Sequence, residues 1–266
     1  MLDINSTNYL NNEQIKRIAP SIFTATAADS VSSHYTHIPT SQVMEDMDQL
    51  GWKVVDVKEV KARKGIGFQK HLIVFRNNDV VINGNDGDTV YPTILLTNSH
   101  DGKNAFTFSA GLYRLICENG LVIATEQFED VKMRHMGYTF EELQTRIHGM
   151  VERLPLTVES MNKMKTVVLE EEQAVDLATR ALLTRFSEDE MTRITVDVME
   201  LLKPTRREDR GTDLWSVFNV VQEKIIDGDF TYQTGSKTRK ARRIKNFSQD
   251  LKVNKQLFEL ALEFAQ

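Results

Sequence analysis

The sequence contains a single cysteine, Cys117, among its 266 residues. This excludes an internal disulfide and any metal site built from several thiolates, and it is typical of a protein from a reducing compartment. No apolar run approaches the roughly 18 residues that a transmembrane helix needs. The first residues also lack a basic region followed by an apolar stretch. We therefore predict no secretory signal, no membrane association and a cytoplasmic location.

Familiar sequence motifs of catalysis are missing as well. The chain has no glycine-rich phosphate loop of the Walker type, no Gly-x-Ser-x-Gly turn and no dinucleotide fingerprint. His34 and His37 have His-x-x-His spacing, but they precede a predicted helix rather than lie on one. We therefore expect no metal and no cofactor, and a non-enzymatic role is favoured over catalysis.

Acidic groups outnumber basic groups overall, at 38 to 33, but basic groups are concentrated near the C-terminus. The formal net charge is −5, which argues against a protein that binds nucleic acid over its whole surface. Residues 141–230 carry 12 basic and 19 acidic groups, whereas residues 231–266 carry 8 basic and 3 acidic groups. The C-terminal part is therefore a local basic region on an acidic protein.

The hydrophobic pattern predicts an α+β fold. Between residues 34 and 138 the apolar spacing indicates a helix followed by an antiparallel β-meander, and from residue 139 onward it indicates helices. We predict three parts: a mobile N-terminal arm (1–33), an α+β core with an antiparallel sheet (34–138), and a helical region packed on that core (139–266). The phase of the first strand slips at Lys58-Glu59, which predicts a bulge there.

A hairpin that leads into a helix is predicted between residues 94 and 120. The Asp-Gly pair within Ser99–Lys103 favours a turn, and Ala105–Ser109 alternates as a half-buried strand does. A short helix is expected over Leu112–Glu118, because Asn119-Gly120 is typical of a helix C-terminus.

The C-terminal half carries several helix boundaries. Pro155 is expected to interrupt a helix, and Ser187 is expected to begin one that ends before Pro204. Asp213–Ile226 has the spacing of a strongly amphipathic helix. Phe230–Lys245 is expected to be irregular and basic.

Several short motifs resemble those of an uncharacterised family of phage and plasmid proteins, over roughly residues 35–260. The resemblance implies a setting on mobile DNA and assigns no activity. The predicted helix–meander–helix order is also similar to the core of phage single-strand annealing proteins of the Red-beta and Erf kind. The motifs are Asn98–Gly102, Arg114–Leu121, Arg134–Gly137, Leu214–Asn219, Gln222-Glu223, Arg239 and Arg242-Arg243.

Two sets of polar residues near the hairpin predicted between residues 94 and 120 are candidates for a functional site. Converging loops would bring His100, Asp101 and His135 together as acid–base residues, because the pKa of imidazole is near neutral. The alternative is a turn whose side chains cap their own backbone. A structural polar network, or a phosphate contact by the two arginines, is the hypothesis for Arg114, Glu118, Asn119 and Arg134.

Two basic stretches are candidates for contact with nucleic acid. The first lies on the hairpin near residue 64, where Trp52, Phe68 and Phe75 are interleaved with cations, and the second follows Thr234. Cations contact phosphates and rings stack on bases in single-strand binding proteins. The alternative is a sheet whose rings face the core and whose charges face water. The candidate residues are Lys61, Arg63, Lys64, Lys70, Arg239, Lys240, Arg242 and Arg243.

We therefore predict a phage or plasmid protein of DNA metabolism that binds single-stranded DNA, with a role related to annealing or recombination. The expected partners are nucleic acid and further copies of the chain in a homo-oligomer. The alternative is a non-enzymatic inhibitor or binding protein that acts on a host defence or replication protein. The acidic net charge favours this alternative, since acidic surfaces can compete with DNA for basic proteins.

Overall fold

The computed structural model describes residues 9–28, 31, 37–61, 66–80, 82–83, 89–102, 104, 106–114, 120–122, 131–133, 138–207 and 209–266. Two compact units divide the chain. The first comprises Met1–Leu121 with Glu126–Leu154, and the second comprises Val122–Thr125 with Pro155–Gln266. Helices and antiparallel sheets are both present, which confirms the predicted α+β class.

A seven-stranded sheet forms the centre of the first unit. Its strand order is β1-β2-β4-β5-β6, with β3 beside β4 and β7 beside β5, and every pair with a described register is antiparallel. The strands are β1 (Lys53–Glu59), β2 (His71–Arg76), β3 (Ile82–Asn83), β4 (Thr89–Asn98), β5 (Phe106–Arg114), β6 (Gly120–Val122) and β7 (Val131–Met133).

The sequence explains the position of β2 inside this sheet. All six of its residues are buried, so both of its faces are covered. A strand of this kind has a continuous apolar run, here Leu72–Phe75, rather than strict alternation. The irregularity in β1 lies between Val54 and Asp56, and not at Lys58-Glu59, where the sequence pattern had indicated a bulge.

Two helical segments precede the sheet. Helix α1 (Asn12–Ile18) begins at a capping box formed by Asn11 and Gln14, and a 3₁₀ turn follows at Pro20–Phe23. Ile15 and Ile22 are almost completely buried. The described part of the expected N-terminal arm therefore contributes to the core of the first unit. Helix α2 (Thr40–Gln49) agrees with the predicted helix before β1.

The helix predicted over Leu112–Glu118 is wrong where the structure describes it. Leu112 to Arg114 continue β5 and pair with Pro92 to Val90 of β4. A long antiparallel partner satisfies these backbone groups without a helix, and this non-local pairing overrides the local pattern. Residues 115–119 lie outside the described residues.

Helices dominate the chain from residue 140 onward. Pro155 lies inside α3 without ending it, contrary to the expected interruption, since a proline removes only one hydrogen bond of a long helix. No helix of the described residues is long and apolar enough to cross a membrane. The helices are α3 (Phe140–Thr166), α4 (Glu171–Leu182), α5 (Glu188–Met191), α6 (Val198–Leu201), α7 (Leu214–Asp227) and α8 (Phe247–Phe264).

A small three-stranded sheet belongs to the second unit. It consists of β8 (Thr195–Val196), β9 (Thr231–Thr234) and β10 (Lys237–Lys240), in the order β10-β9-β8. The prediction that residues 230–245 are irregular is wrong over residues 231–240, because a two-residue turn at Gly235-Ser236 pairs β9 with β10. Residues 241–245 are irregular, as expected. The helix expected from Ser187 to Pro204 is also wrong: α5 and α6 are separate, with β8 between them.

Two glycines allow a test of how tightly the chain after the β9–β10 hairpin packs against the end of α7. Gly228 and Gly235 both have a left-handed φ, at 71° and 60°. A Cβ at Gly228 would lie 2.5–2.7 Å from backbone atoms of Arg242, whereas one at Gly235 meets nothing within 4 Å. Gly235→Ala should destabilise the protein by about 1 kcal/mol from its φ alone. Gly228→Ala should cost about 2–4 kcal/mol, since its contact adds overpacking.

Urea denaturation of the two variants measures this difference. Gly235→Ala is the matched control, because it carries the same backbone penalty without the contact. Equal losses of stability would contradict close packing of residue 242 against the end of α7.

Candidate functional site

The basic segment, defined here as residues 237–245, begins at the edge strand β10 and returns past the C-terminus of α7. Asp213 caps the start of α7 by accepting from the backbone N–H of Ser216, and Gly228 ends the helix in the left-handed conformation. The cations of the basic segment are Lys237, Arg239, Lys240, Arg242, Arg243 and Lys245.

Two successive carbonyl groups of the last turn of α7, those of Ile225 and Ile226, fix this segment in place. Gly228 N–H donates to the Lys224 carbonyl at 2.9 Å, and Ile244 N–H donates to the Ile226 carbonyl at 2.9 Å. The Arg185 guanidinium donates to the Ile225 carbonyl and to the Arg242 carbonyl. One arginine therefore joins the end of α7 to the basic segment.

Two of the six cations are neutralised by nearby carboxylates. Lys240 Nζ lies 3.2 Å from Asp229 Oδ1, and Arg243 Nε lies 3.4 Å from Asp227 Oδ1. Hydrogen bonds from Lys224 and Lys240 lower the pKa of Asp229 below its ordinary value. Asp229 thus remains charged at neutral pH, and the two carboxylates occupy Lys240 and Arg243.

The other four cations are exposed, and no carboxylate of the described residues forms an ion pair with them. Lys237 and Arg239 alternate with Thr238 along β10, so they share one face of the strand. The four exposed cations are Lys237, Arg239, Arg242 and Lys245.

Aromatic rings lie beside these cations. Arg239 is directly opposite Tyr232 in the β9–β10 register, so the two side chains lie on the same face of the sheet. The ring of Phe186 meets that of Tyr232 at a centroid distance of 5.5 Å. Tyr232 and Phe186 are both half-buried and therefore keep part of their rings accessible. The second unit thus combines unpaired cations and an aromatic ring on one face of the β9–β10 hairpin.

The other predicted nucleic-acid residues belong to the first unit. Lys61 is exposed and Lys70 is half-buried, while Arg63 and Lys64 lie outside the described residues. Of the interleaved rings, Trp52 and Phe75 are 3% and 0% exposed. Those two rings face the core and are not available to stack on bases.

The predicted catalytic candidates do not form an accessible site where the structure describes them. His100 is 0% exposed, and Asp101 accepts a hydrogen bond of 2.6 Å from the Ser99 hydroxyl in the turn after β4. His135 lies outside the described residues, as do Glu118, Asn119, Arg134 and the side chain of Arg114. The hypothesis of a polar network among the last four residues stays a prediction.

His100 instead belongs to a histidine cluster, formed by the buried His71 and His100 and the half-buried His37. The rings of His37 and His100 have centroids 4.7 Å apart, and those of His71 and His100 are 5.4 Å apart. No group of histidine, cysteine or carboxylate residues that could hold a metal ion is present in the described part of the chain. The cluster is held together by hydroxyl and amide groups, as described below.

The described residues of the first unit line at least two clefts. One, of about 700 Å³, is lined by Trp52, Val80 and Ile147 among others, and the second, of about 590 Å³, by Tyr9, Met44 and Trp52 among others. Neither of these two clefts is lined by the histidine cluster. They therefore do not support the catalytic hypothesis.

Sequence reasoning missed the residues that organise the basic segment. Arg185 follows α4 and is 57 residues away from Arg242, whose carbonyl it binds. Phe186 and Tyr232 also meet only through the fold. The Asp227-Gly228-Asp229 sequence was a usable indication, because acidic residues on both sides of a helix-ending glycine can pair with a following basic run.

Comparison with known proteins identifies a family. Residues 27–258 match the family described as Domain of unknown function (DUF932). The chain belongs to this family. The DUF932 match covers nearly the whole of both units, and it confirms the resemblance to an uncharacterised family.

Two relatives of this DUF932 protein come from Escherichia coli (strain K12). The UPF0380 protein YfjQ is 29% identical over 259 residues, covering 95% of the chain and 90% of the relative. The UPF0380 protein YafZ is 28% identical over 255 residues, with the same two coverages. Neither name states a ligand or an activity. No solved structure matches the chain at a significant level.

Replacing Arg185 tests the anchoring of the basic segment. Arg185→Met should lower the free energy of unfolding by about 3 kcal/mol, because hydrogen bonds from a charged donor contribute about 1.5–3 kcal/mol and two carbonyls lose their donor. Arg193→Met is the control, since Arg193 forms only an exposed pair with Asp189 at 2.8 Å. It should change stability by less than about 1 kcal/mol. Urea denaturation of both variants decides whether Arg185 is the stronger contributor.

Proposed function

We propose that the chain binds single-stranded DNA through the basic segment and the adjoining face of the β9–β10 hairpin. The observation that carries this proposal is the register of the hairpin. It places Arg239 opposite the half-buried Tyr232, with Lys237 on the same face. Cations and an accessible ring on one face are the two components that a sequence-tolerant single-strand site needs.

The pattern of ion pairing supports binding to phosphate. Asp227 and Asp229 form ion pairs with Arg243 and Lys240. A phosphate that binds the remaining four cations therefore does not have to displace a carboxylate from them. Arginine is suited to this contact, because its planar guanidinium matches two phosphate oxygens. Four phosphate contacts would give a slope of roughly −3 in a plot of log affinity against log salt concentration.

The rigid attachment of the segment also favours binding. Its backbone is held at the end of α7 by the Arg185 guanidinium and by the N–H of Ile244. Side chains on a fixed backbone lose less conformational entropy on binding than those on a free loop. The backbone of the basic segment is therefore already ordered in the unbound protein, and binding does not have to reduce its conformational entropy further.

The aromatic rings favour single strands over duplex DNA. In a duplex the faces of the bases are stacked on one another, whereas in a single strand they can stack on a side chain. Tyr232 is supported edge-on by Phe186, which keeps its ring orientation defined. A role in phage or plasmid DNA metabolism, related to annealing or recombination and carried out by a homo-oligomer, is the setting that we propose for this binding.

Removing two unpaired arginines should weaken binding. The double variant Arg239→Ala, Arg242→Ala should lower affinity for a fluorescent single-stranded oligonucleotide about 10- to 100-fold at low salt, and it should make the salt slope shallower by roughly 1–2. Fluorescence anisotropy at several salt concentrations measures both quantities.

A charge-matched control separates local contact from net charge. Lys16→Ala with Arg17→Ala removes two exposed cations from α1 in the first unit. It should leave the affinity and the slope close to those of the unaltered protein. Absence of oligonucleotide binding at low salt, or an equal effect of the two double variants, would contradict the proposal.

Replacing Tyr232 tests the preference for single strands. Tyr232→Leu should weaken binding to a single strand by about 1–3 kcal/mol, which is the contribution of one stacked base. Binding to a duplex of the same sequence should be nearly unchanged, and Tyr232→Phe should retain the single-strand affinity. Equal losses for single strand and duplex would show that the ring only supports the fold.

The competing hypothesis of a host-protein partner rests on the acidic surface of the second unit. Its exposed carboxylates include Glu171, Glu172 and Asp176 of α4, and Glu188 and Asp189 of α5. If oligonucleotide binding is absent, this surface becomes the better candidate, because acidic groups can occupy the nucleic-acid site of a basic protein.

A further inference from the structure

A short segment of the first unit covers the histidine cluster. This segment, residues 19–28, is called the strap. The Ser21 N–H donates to Glu59 Oε2 at 2.8 Å, and the Ala28 N–H donates to the His100 carbonyl at 3.1 Å. The Ser21 hydroxyl lies 2.8 Å from His71 Nδ1 and is completely buried. The strap is therefore attached to two hairpins of the sheet at the histidines themselves.

The hydrogen bonds define which nitrogen of His71 carries the proton. His71 Nδ1 lies 3.1 Å from the Gln69 carbonyl, which can only accept, so Nδ1 carries the proton. The neutral Nε2 is then an acceptor for the Thr40 hydroxyl at 2.9 Å. The Thr40 oxygen in turn accepts from Asn98 Nδ2 at 2.9 Å and from His100 Nε2 at 3.2 Å.

A second proton on His71 is incompatible with this arrangement. It would reside on Nε2 and would remove the acceptor of the Thr40 hydroxyl. With the His100 proton on Nε2, the Thr40 oxygen would then face three N–H donors, from His71, His100 and Asn98, with only two lone pairs. The charge would also be placed in a site that is 0% exposed.

We propose that His71, Thr40 and Ser21 form a proton-operated latch that holds the strap closed while His71 is neutral and releases it when His71 is protonated. Release separates Ser21 from Glu59 and Ala28 from His100. It exposes the histidine cluster and the turn after β4, and it leaves the sheet in place. The latch is independent of the proposed DNA site, which belongs to the other unit.

The direction of the pH dependence follows from the burial of His71. Burial lowers the pKa of His71 from 6.5 to about 4, and the hydrogen bond to Gln69 opposes this in part. The closed state therefore binds a proton less readily than the open state. Closure is complete above pH 6.5 and weakens as the pH falls toward 4. The difference corresponds to about a 300-fold change in the ratio of open to closed molecules.

Other ionisable groups surround His71 on each element packed against it. Glu59 lies opposite in the register of β1, and Lys70 precedes it on β2. His100 faces it from the end of β4, His37 lies beyond His100, and Asp101 follows in the turn.

Hydrogen exchange of the whole protein tests the latch. The Ser21 and Ala28 amides report the strap, and the Ile73 and Leu95 amides report β2 and β4. After correction for intrinsic rates, the strap amides should lose protection by up to about 300-fold between pH 7 and pH 4. The strand amides should stay protected over the same range. An NMR titration of the His71 ring should coincide with this opening.

Two variants provide the controls. His71→Gln cannot be protonated and should abolish most of the pH dependence, whereas His148→Gln removes an exposed histidine of α3 and should leave it intact. Where His71→Gln does not fold, the ring titration of the unaltered protein decides the matter. Constant strap protection, simultaneous loss of strap and strand protection, or opening without titration of His71 would each overturn the proposal.

Discussion

The last turn of α7 imposes the constraint on which the second unit depends. A helix ends with carbonyl groups that have no partner inside the helix, and burial makes each unpaired carbonyl costly. Here the donors come from Gly228, from Ile244 and from the side chain of Arg185. The chain must therefore return past this helix end. The return places the basic segment where the negative end of the helix dipole also favours cations.

Local sequence patterns predicted those elements whose boundaries depend on nearby residues. Asp213 and Gly228 delimit α7 as expected, because a side-chain N-cap and a left-handed glycine act within one turn of the helix. The local sequence patterns predicted a helix at Leu112–Arg114 and irregular structure at residues 231–240, and both predictions are wrong because strands form there. In both places the deciding partner is a neighbouring strand, and an apolar or charged run alone does not specify it.

The candidate site, like the fold, could be predicted from the sequence only in part. The density of lysine and arginine after Thr234 was visible in the sequence, but its division into paired and unpaired cations was not. That division depends on the approach of Asp227 and Asp229, which is set by the hairpin. The histidines show the opposite error. His100 looked like a catalytic residue in a polar turn, whereas the strap covers it, because Ser21 and Thr40 give the imidazoles buried partners.

An acidic protein can still present a basic site, since charge acts over a short distance in salt. The Debye length is about 8 Å at physiological ionic strength, so carboxylates several turns away contribute little at the hairpin. Asp227 and Asp229 are each already paired with a cation, and the Glu200 carboxylate at β9 accepts hydrogen bonds from the Thr231 N–H and hydroxyl. In the proposed function, a phosphate approaching Arg239 would meet a locally positive edge. The net charge of −5 would then act mainly at long range, where it would slow the encounter with DNA without removing the short-range attraction.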